Sequence, residues 1–522
     1  MTGGLIQLIS YGAQDLYLTA NPEITFFKII YKRYSNFAIE VMEHSLSGNI
    51  SFNNVASYTI PNNGDLMTKV YLKTKISGTS NNTGKWAFTQ DLGHNLIKNI
   101  SFLINGNIID TQYGEWFNIW NNFFRNPEQD RGYNILIGNT SQLTTLSISD
   151  KSTELYIPLR FFFNKYNGLA LPLIALQNSS IRFDIEFNSQ LKCYIKESQY
   201  FDIDIATDFD VNLTLSDTKL LINYVFLDEE EKARFSTYSH EYLIEQVQFS
   251  GNENIITNNI NNNYYSYNLN FNHPVKAIYW NIKNNFLNNG TKYLSINDLK
   301  TATQRLVLAY ADFTLAIDIG NYLTPVINIS TELQTIIENT FTTIDITNES
   351  TITLENAFSS IECEILLTSA QVSDINWITT LGGTGIRNIG TTNPGNSVYD
   401  VVCYQPDNYA LYNDYTGDPL ISAELKLNGH NRFSAQTATY FTHVQSFEIG
   451  NCTPKTGNYM YSFSLYPDKH QPSGTCNFSR LDTTTLDIKL NSSINNSIMS
   501  VYAVNYNILK IMNGYGSISY SN

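Results

Sequence analysis

Charge is scarce in this chain, and positive charge is the scarcer sign. Only 15% of its 522 residues are charged, with 32 Lys and Arg against 47 Asp and Glu, which gives a formal net charge of −15. Proteins that bind nucleic acid along an extended face need clustered Lys and Arg to contact the phosphates. The composition therefore argues against direct contact with nucleic acid.

Cysteine is also scarce, and its pattern excludes a disulfide framework. The number of cysteines is odd, and no two of them form a C-x-x-C pair. In a chain of this size that pattern predicts free thiols in a reducing compartment. The five cysteines are Cys193, Cys363, Cys403, Cys452 and Cys476.

Long hydrophobic runs are missing. The stretch Met1–Leu18 has no basic region ahead of its apolar residues, and Asp15 interrupts them early. No apolar run approaches the roughly 18 residues expected of a membrane-spanning helix. We therefore expect neither a signal peptide nor a membrane span.

Catalytic and metal-binding motifs are lacking as well. None of the 7 histidines forms an H-E-x-x-H motif. The stretch Gly78–Lys85 has one residue too many for a phosphate-binding P-loop, and Trp86 replaces the Ser or Thr that would hold magnesium. Gly382–Gly385 lacks the third spaced glycine of a dinucleotide-binding loop, and no G-x-S-x-G elbow occurs. We expect no enzymatic activity, no cofactor and no metal site.

Aromatic residues are abundant, with 35 Tyr and 29 Phe, and many lie in segments that alternate between apolar and polar side chains. Ile181–Phe187 alternates throughout, and Lys69–Ile76 does so over most of its length. A period of two is typical of a sheet with one buried face and one wet face. The dipeptide Asn105-Gly106 is typical of a tight hairpin. These patterns predict an all-β protein.

The segment Tyr224–Phe249 interrupts the strands near the middle of the chain. Asp228 is suited to cap the start of a helix, Glu231 follows three residues later, and acidic residues crowd the first turn, where the helix dipole favours them. The alternation of apolar residues returns by Tyr242. We expect a short helical connector, residues 224–241, between two β-domains.

Landmarks of the first half recur in the same order in the second, which predicts an internal duplication. The matched pairs are Phe37–Asn49 with Tyr242–Asn252, Gly64–Lys73 with Asn272–Asn281, Ser101–Asp110 with Glu424–Phe433, and the strands around Ile157 and Ile181 with those around Tyr459 and Thr485. The second half is longer, which predicts a large insertion at about 292–420. Loop closure costs grow slowly with length, so a sandwich can carry such an insertion.

The segments before the first clear strand are harder to assign. Residues 1–24 are predicted to form an N-terminal arm. The following stretch, Ile24–Tyr34, is apolar and aromatic and carries Lys28, Lys32 and Arg33. One interpretation is a strand or helix packed under the first domain; the other is a surface that meets anionic lipid or another protein.

Several segments of this chain resemble the major capsid proteins of nucleocytoplasmic large DNA viruses, especially those that infect algae and other protists. Together the segments are distributed over nearly the whole length of the chain, and only the insertion contains none of them. They are Gly3–Glu40, Ile157–Gln177, Phe226–Gly251, Leu269–Asn281, Leu427–Phe433, Gln471–Arg480 and Asn505–Gly516.

The resemblance implies a double jelly roll, that is, two eight-stranded antiparallel sandwiches in tandem, here residues 25–223 and 242–522. It further implies a homotrimeric capsomer of pseudo-hexagonal outline that tiles an icosahedral capsid assembled in the host cytoplasm. The insertion would form an outer tower. The arm would lie at the base, facing minor capsid proteins and an internal viral membrane.

The resemblance also implies covalent glycans on outer loops. Asn81, Asn328 and Asn348 are candidates because each begins an Asn-x-Ser/Thr triplet. Such triplets are also expected by chance in a chain this rich in Asn, Ser and Thr.

A second interpretation is a carbohydrate-binding or host-attachment β-sandwich protein, with the insertion as the binding region. Aromatic and acidic residues clustered in Tyr404–Tyr415 favour it. The two interpretations differ in oligomeric state, because a capsomer protein must be an obligate trimer and an attachment protein need not be.

Overall fold

The computed structural model describes the chain in segments that together form two β-rich lobes. The described residues are 2–10, 12–29, 31–80, 86–145, 147–196, 211–256, 263–284, 405–410, 417–491 and 496–521, with the backbone of four short strands between 304 and 367.

The N-terminal arm holds two short helices, α1 (Gly3–Ile9) and α2 (Leu16–Thr19), neither of which buries a residue. The first strand begins only at Phe37. The expectation of a strand or helix packed under the first domain is wrong for Ile24–Tyr34, because the described residues there lie outside any helix or strand and are exposed. Phe26 and Phe27 are 89% and 99% exposed.

The first lobe contains eleven strands in its described residues. They are β1 (Phe37–Ser45), β2 (Val55–Thr59), β3 (Leu66–Ser80), β4 (Trp86–Phe88), β5 (Ile97–Ile104), β6 (Asn107–Tyr113), β7 (Lys151–Pro158), β8 (Leu171–Pro172), β9 (Ile181–Phe187), β10 (Tyr194–Lys196) and β11 (Val211–Leu227).

Five short helices connect these strands. They are α3 (Leu92–Leu96), α4 (Gly114–Phe124), α5 (Asp130–Leu136), α6 (Ser141–Thr144) and α7 (Phe162–Lys165). Single 3-10 turns occur at Pro127–Gln129, Asn167–Leu169, Leu173–Ala175 and Gln190–Lys192.

Two antiparallel sheets make up the sandwich of the first lobe. One has the strand order β1-β11-β3-β7, with β8 added beside β3, and the other has the order β2-β9-β5-β6. Strand β4 pairs separately with β10. The strands of each pair run in opposite directions, and, apart from the added strand β8, the chain passes back and forth between the two sheets except at the hairpin β5–β6, which is the jelly-roll arrangement.

The core of the first lobe lies between the two sheets and confirms the predicted alternation. Every second side chain of β9 is buried, beginning with Ile181. Phe183 is fully buried, and its ring centroid lies 5.4 Å from that of Phe102 and 5.6 Å from that of Phe161. The outward side chains of β3, such as Lys69 and Lys73, remain accessible to solvent.

A short helix, α8 (Glu229–Thr237), connects the lobes. The predicted cap is confirmed: the carboxylate of Asp228 accepts a 2.9 Å hydrogen bond from the backbone N–H of Glu231. Lys232 forms an ion pair with Asp65 at 2.9 Å, and Phe235 packs against a small apolar cluster on the first lobe. These contacts fix α8 against the sandwich that precedes it.

The second lobe begins with β12 and ends with β26. Its strands are β12 (His240–Ile256), β13 (Tyr264–Asn268), β14 (Pro274–Asn284), β15 (Gln304–Leu308), β16 (Leu315–Asp318), β17 (Thr351–Leu354), β18 (Cys363–Leu367), β19 (Leu420–Leu427), β20 (His430–Asn431), β21 (Gln436–Thr437), β22 (Asn458–Ser462), β23 (Cys476–Asn477), β24 (Thr484–Leu490), β25 (Asn496–Met512) and β26 (Tyr515–Ile518). A π-helical turn, Tyr440–Val444, runs into α9 (Gln445–Ile449), and Phe478–Arg480 forms a 3-10 turn.

The second sandwich repeats the topology of the first. One sheet has the order β12-β25-β14-β22, with β23 and β26 at its margins, and the other has the order β13-β24-β19-β20, with β21 beside β19. Each repeated landmark in the sequence falls on equivalent strands, for example β3 and β14, or the hairpins β5–β6 and β19–β20. The chain is therefore a double jelly roll, as predicted.

The predicted insertion falls between β14 and β19, the third and fourth strands of the second sandwich. Most of it lies outside the described residues. The described backbone there forms two antiparallel strand pairs, β15 with β18 and β16 with β17. None of the helices in the described segments is long and apolar enough to cross a membrane.

Candidate assembly surfaces

Several buried ionisable side chains lie where the two lobes meet. In the segments that the structure describes, no group of three or more His, Cys, Asp or Glu side chains is arranged to hold a metal ion. Several buried charged groups, among them Asp110 and Glu245, instead make contacts between the lobes. The junction between the lobes is therefore the first candidate assembly surface.

Helix α4 of the first lobe supplies the centre of the junction. It follows β6 directly and starts at Gly114, where an added Cβ would lie 2.1 Å from the carbonyl oxygen of Ile97 and 2.2 Å from that of His94. Only glycine allows this close approach. The helix is thereby held tightly against its own lobe and presents its other face to the second lobe.

Glu115, in the first turn of α4, makes the main polar link across the junction. Its carboxylate accepts hydrogen bonds from the hydroxyls of Tyr409 and Tyr502, both at 2.8 Å, and from the side-chain amide of Asn281 at 3.2 Å. Both tyrosines are almost fully buried, and burial raises the pKa of each hydroxyl well above 10. The hydroxyls therefore stay protonated and remain donors to the carboxylate.

An aromatic layer surrounds Glu115. The ring centroid of Trp116 lies 5.1 Å from that of Tyr279, in an edge-on arrangement. On the second lobe, Phe249 and Tyr502 stack at 4.5 Å, and Tyr113 of the first lobe lies 5.0 Å from Phe249. Aromatic pairs of this kind bury a large apolar area at each contact. The buried core of the first lobe thus continues onto the outer face of the second-lobe sheet.

A cluster of opposite charges lies beside this aromatic layer. The carboxylate of Glu245 is 2.7 Å from the ammonium group of Lys165 in the first lobe and 2.5 Å from that of Lys276 in the second. Burial by itself would raise the pKa of Glu245, but the two ammonium groups outweigh it and hold the pKa below its usual value. Glu245 is thus kept ionised inside the junction.

Asp110, in the middle of β6, makes a further link between the lobes. Its carboxylate accepts a hydrogen bond from the backbone N–H of Val247 in the second lobe, at 2.9 Å. Burial raises the pKa of Asp110 to about 6, against the opposing effect of the hydrogen bonds that it accepts. This carboxyl group therefore changes its protonation state near pH 6.

A second surface is the exposed arm, which differs in character from the rest of the molecule. Its described apolar side chains are largely open to solvent, and Lys28, Lys32 and Arg33 lie among them without an acidic residue between Ile24 and Ser35. Such a concentration of exposed apolar groups is unusual on a protein surface, which makes the arm a candidate contact surface.

The residues proposed as a ligand site from sequence do not form one in the described segments. Of Tyr404–Tyr415 the structure describes residues 405–410, which are buried, and Tyr409 is a donor to Glu115 in the junction. The glycan candidates Asn81, Asn328 and Asn348 lie outside the described residues.

Sequence reasoning missed the junction residues. No sequence pattern gives a role to Glu115, Trp116 or Trp120, and Asp110 stands out only as the last residue of the repeated landmark Ser101–Asp110. The spacing of Trp116, Trp120 and Phe123 by four and three positions places them along one helical face, which was an available signal. The partner of that face could not be deduced from the spacing.

Comparison with known proteins agrees with the double jelly-roll fold. The family described as "Large eukaryotic DNA virus major capsid protein" matches residues 231–517, and the family described as "Major capsid protein N-terminus" matches residues 25–228. Capsid protein 1 of Acanthamoeba polyphaga mimivirus is 34% identical, and the major capsid protein of Phaeocystis pouchetii virus is 33% identical. Both alignments cover 100% of this chain and 100% of the relative.

Solved structures show the same architecture. A chain of the PBCV-1 virus capsid is 26% identical with a TM-score of 0.64, over 95% of this chain and 100% of that chain. The Faustovirus major capsid protein, at 12% identity, shares the fold with a TM-score of 0.62, over 96% of this chain and 94% of that chain. With both lobes matched in sequence and in fold, the chain belongs to the family of large eukaryotic DNA virus major capsid proteins.

Proposed function

We propose that this protein is a non-enzymatic shell subunit that self-assembles into homotrimers, which then tile the icosahedral capsid of a large double-stranded DNA virus. The observation that carries the proposal is the pairing of two lobes with the same strand order, joined by a buried junction. Each chain thereby supplies two similar blocks in a fixed arrangement.

Two similar lobes in each chain explain why three chains would suffice for a six-sided unit. Homo-oligomers usually close with point-group symmetry, so that each interface is used repeatedly. Three copies around a threefold axis place six similar lobes in a ring of pseudo-hexagonal outline. Such units can pack side by side on a lattice with nearly equivalent contacts.

The directions of the strands show which segments lie at each end of the double sandwich. Phe37, where the arm joins β1, pairs with Leu227, and β3 starts at this same end. On the insertion side, β14 ends at Asn284, and the next segment with described side chains begins at Gln405. The side chain of Gln405 accepts a 3.0 Å hydrogen bond from the backbone N–H of Gln90, beyond the far end of β3. The arm and the insertion thus leave the double sandwich at opposite ends.

Because the arm and the insertion lie at opposite ends, one end of the subunit can face the inside of a capsid and the other the outside. The insertion at 292–420 would stand outward as a tower, where glycans on outer loops would be accessible. The arm would lie at the base, and its exposed aromatic side chains with Lys28, Lys32 and Arg33 suit minor capsid proteins or the anionic surface of an internal membrane. With its net charge of −15, the chain is unsuited to binding the genome directly. Assembly would take place in the host cytoplasm.

The mass of the purified protein in solution tests this proposal. Light scattering at several concentrations should give three times the mass of one chain, unchanged on dilution, and electron microscopy of concentrated samples should show two-dimensional arrays. A monomer that persists at every concentration would contradict self-assembly into trimers and would favour the attachment-protein interpretation.

A further inference from the structure

The junction inside one chain provides a template for the contact between two chains. There, α4 of the first lobe, which connects the fifth and sixth main strands of its sandwich, packs across the outer face of the second-lobe sheet β12-β25-β14-β22. Trp116 and Phe123 project from α4 onto Tyr279 of that sheet, with ring centroids 5.1 Å and 5.9 Å away. Each lobe therefore has two relevant features, a helix and an outer sheet face.

The second lobe has an equivalent helix at the equivalent place in its topology. The π-helical turn and α9 together span Tyr440–Ile449 and connect β21 to β22. The sequences align without a gap: W-F-N-I-W-N-N-F in Trp116–Phe123 matches Y-F-T-H-V-Q-S-F in Tyr440–Phe447. Aromatic residues recur at the first, second and eighth positions of this alignment.

Burial follows the same alignment on the side that faces each helix's own lobe. Phe117 and its counterpart Phe441 are both buried in the core of their lobe. The amide side chains of Asn121 and Gln445, four positions later, are also both buried. The two helices therefore sit on their sandwiches in the same orientation.

Burial differs on the opposite side of the helices. Trp116 and Phe123 are buried in the junction, whereas Phe447, the counterpart of Phe123, is 92% exposed. Val444, the counterpart of Trp120, is also exposed. The second lobe thus presents an apolar stripe with no partner inside the described part of the chain.

The first lobe, in turn, has an outer sheet face that no equivalent helix covers in the described segments. On the second lobe, cross-strand pairing places Phe249, Tyr502, Tyr279 and Met460 in one row beneath α4. The corresponding row on the first lobe is Glu43, Leu221, Tyr71 and Pro158. All four of these residues are at least partly exposed, although Tyr71 occupies the position of the buried Tyr279.

Charge also matches between the free helix and the free sheet face. The outward side chains around Tyr71 include Lys69, Lys73 and Lys75. Lys73 is already paired with Glu43 and Glu154 on the same face, at 3.2 Å each, so Lys69 and Lys75 are the cations left to meet a partner. The segment Tyr440–Ile449 contains Glu448, which is exposed beside Phe447, and no Lys or Arg. A carboxylate at Glu448 and the ammonium groups of Lys69 and Lys75 attract each other, which favours the correct partner during association.

We infer that the segment Tyr440–Ile449 docks on the outer face of the first-lobe sheet of a second copy of this chain, with Phe447 and Val444 over Leu221 and Tyr71. The contact would repeat, between chains, the packing of α4 inside each chain. Three such contacts alternate with three internal junctions and close a ring of six lobes. The inference rests on the proposed homotrimer and assigns the surfaces that form it.

Substitution of the exposed aromatic residue tests the assignment. Phe447→Asp should change the species seen by light scattering from three chains to one, with the circular dichroism spectrum of the folded protein retained, since the side chain is exposed. Phe27→Asp is the matched control, because it makes the same change at a 99% exposed phenylalanine of the arm. That control should remain trimeric.

A cysteine pair tests the contact without disturbing it by charge. The double variant Phe447→Cys with Tyr71→Cys should, on mild oxidation, give covalent species of two and three chains on a non-reducing gel. Either single variant should give none, which also controls for the natural cysteines.

The outcomes separate the inference from the function on which it rests. If the natural protein is a trimer but Phe447→Asp remains trimeric and the cysteine pair gives no species of more than one chain, this assignment is overturned and the homotrimer stands. If the natural protein is a monomer at all concentrations, the homotrimer fails and the assignment fails with it. Loss of the trimer in Phe447→Asp alone, together with cross-linked chains, supports both.

Discussion

Glu115 in the first lobe accepts a 2.8 Å hydrogen bond from the hydroxyl of Tyr502 in the second lobe, 387 positions further along the chain. The same carboxylate accepts from Tyr409 and Asn281, so three polar groups of the second half depend on one side chain of the first. This arrangement makes Glu115 a sensitive probe of the junction.

Replacing Glu115 by alanine should destabilise the protein strongly. Each of the three buried donors left without an acceptor costs about 1–3 kcal/mol, so the loss in the free energy of unfolding should be roughly 3–9 kcal/mol. Urea unfolding followed by circular dichroism, at matched protein concentrations, measures this loss.

Glu115→Gln is the matched control because it keeps one acceptor oxygen and the shape of the side chain. Its loss should be only about 1 kcal/mol, the usual scale of one altered hydrogen bond. Equal losses for the alanine and glutamine variants would show that the hydrogen bonds contribute little to the junction.

Replacing Phe183 or Ile185 by aspartate should prevent folding of the first lobe. Both side chains are fully buried between the two sheets, and an unpaired charge in such a site costs several kcal/mol. The expected result is loss of soluble, folded protein in expression trials. Asp184→Asn changes the outward residue between them and should give normal yields; a soluble, trimeric Phe183→Asp protein would contradict the assigned core.

Asp110 should make stability depend on pH in an unusual direction for a carboxyl group. Its pKa is about 6 in the folded protein and 3.8 when unperturbed, so the folded state binds the proton more tightly. The favourable contribution is present below pH 4 and is lost as pH rises through 6. The loss should be roughly 3 kcal/mol, from about 1.4 kcal/mol per pKa unit.

The variant Asp110→Asn isolates this effect, since asparagine can still accept the hydrogen bond from Val247 but does not titrate. The free energy of unfolding of the natural protein minus that of the variant should decrease between pH 4 and pH 7. A difference that stays constant over this range would mean that Asp110 does not titrate as described.

The ion cluster at Glu245 should show strong coupling between its members. Glu245→Leu leaves the fully buried ammonium of Lys276 without its partner, which should cost about 3–5 kcal/mol. Adding Lys276→Met removes that charge and should restore much of the loss. A double-mutant cycle of unfolding free energies measures the coupling, and additive losses would contradict a buried ion pair.

Local alternation allowed the strands to be predicted well. In β9 each apolar residue from Ile181 to Phe187 faces the core, because a strand exposes every second side chain to the same environment. The repeat of Gly64–Lys73 in Asn272–Asn281 likewise identified β3 and β14 as equivalent strands. Such patterns predict strands reliably because they depend only on residues within one strand.

The arm was predicted less well because its composition fits both a buried core segment and an exposed contact surface. Ile24–Tyr34 is apolar enough for a core segment, yet in the monomer Phe27 is 99% exposed. Hydrophobic residues that await a partner have the same composition as residues buried in their own domain. Sequence patterns within one chain do not distinguish these two environments.

The junction could not be predicted from sequence because its contacts join residues that are distant in the chain. Nothing near Glu115 indicates that Tyr409 and Tyr502 will approach it, and Asp110 looks like an ordinary residue of a hairpin. These contacts follow only when both sandwiches are complete and placed side by side.

The order of strands within each sheet has a consequence for how the protein is made. β11 lies between β1 and β3, and β25 lies between β12 and β14, so a central strand of each sheet is the last of its main strands to leave the ribosome. The first lobe can close during synthesis, whereas the second cannot close until β25 has been added. Because β25 also carries Tyr502, a prematurely terminated polypeptide would lack both a closed second lobe and a finished junction. Incomplete translation products would then be unable to join the growing shell, because they lack the closed second lobe that assembly requires.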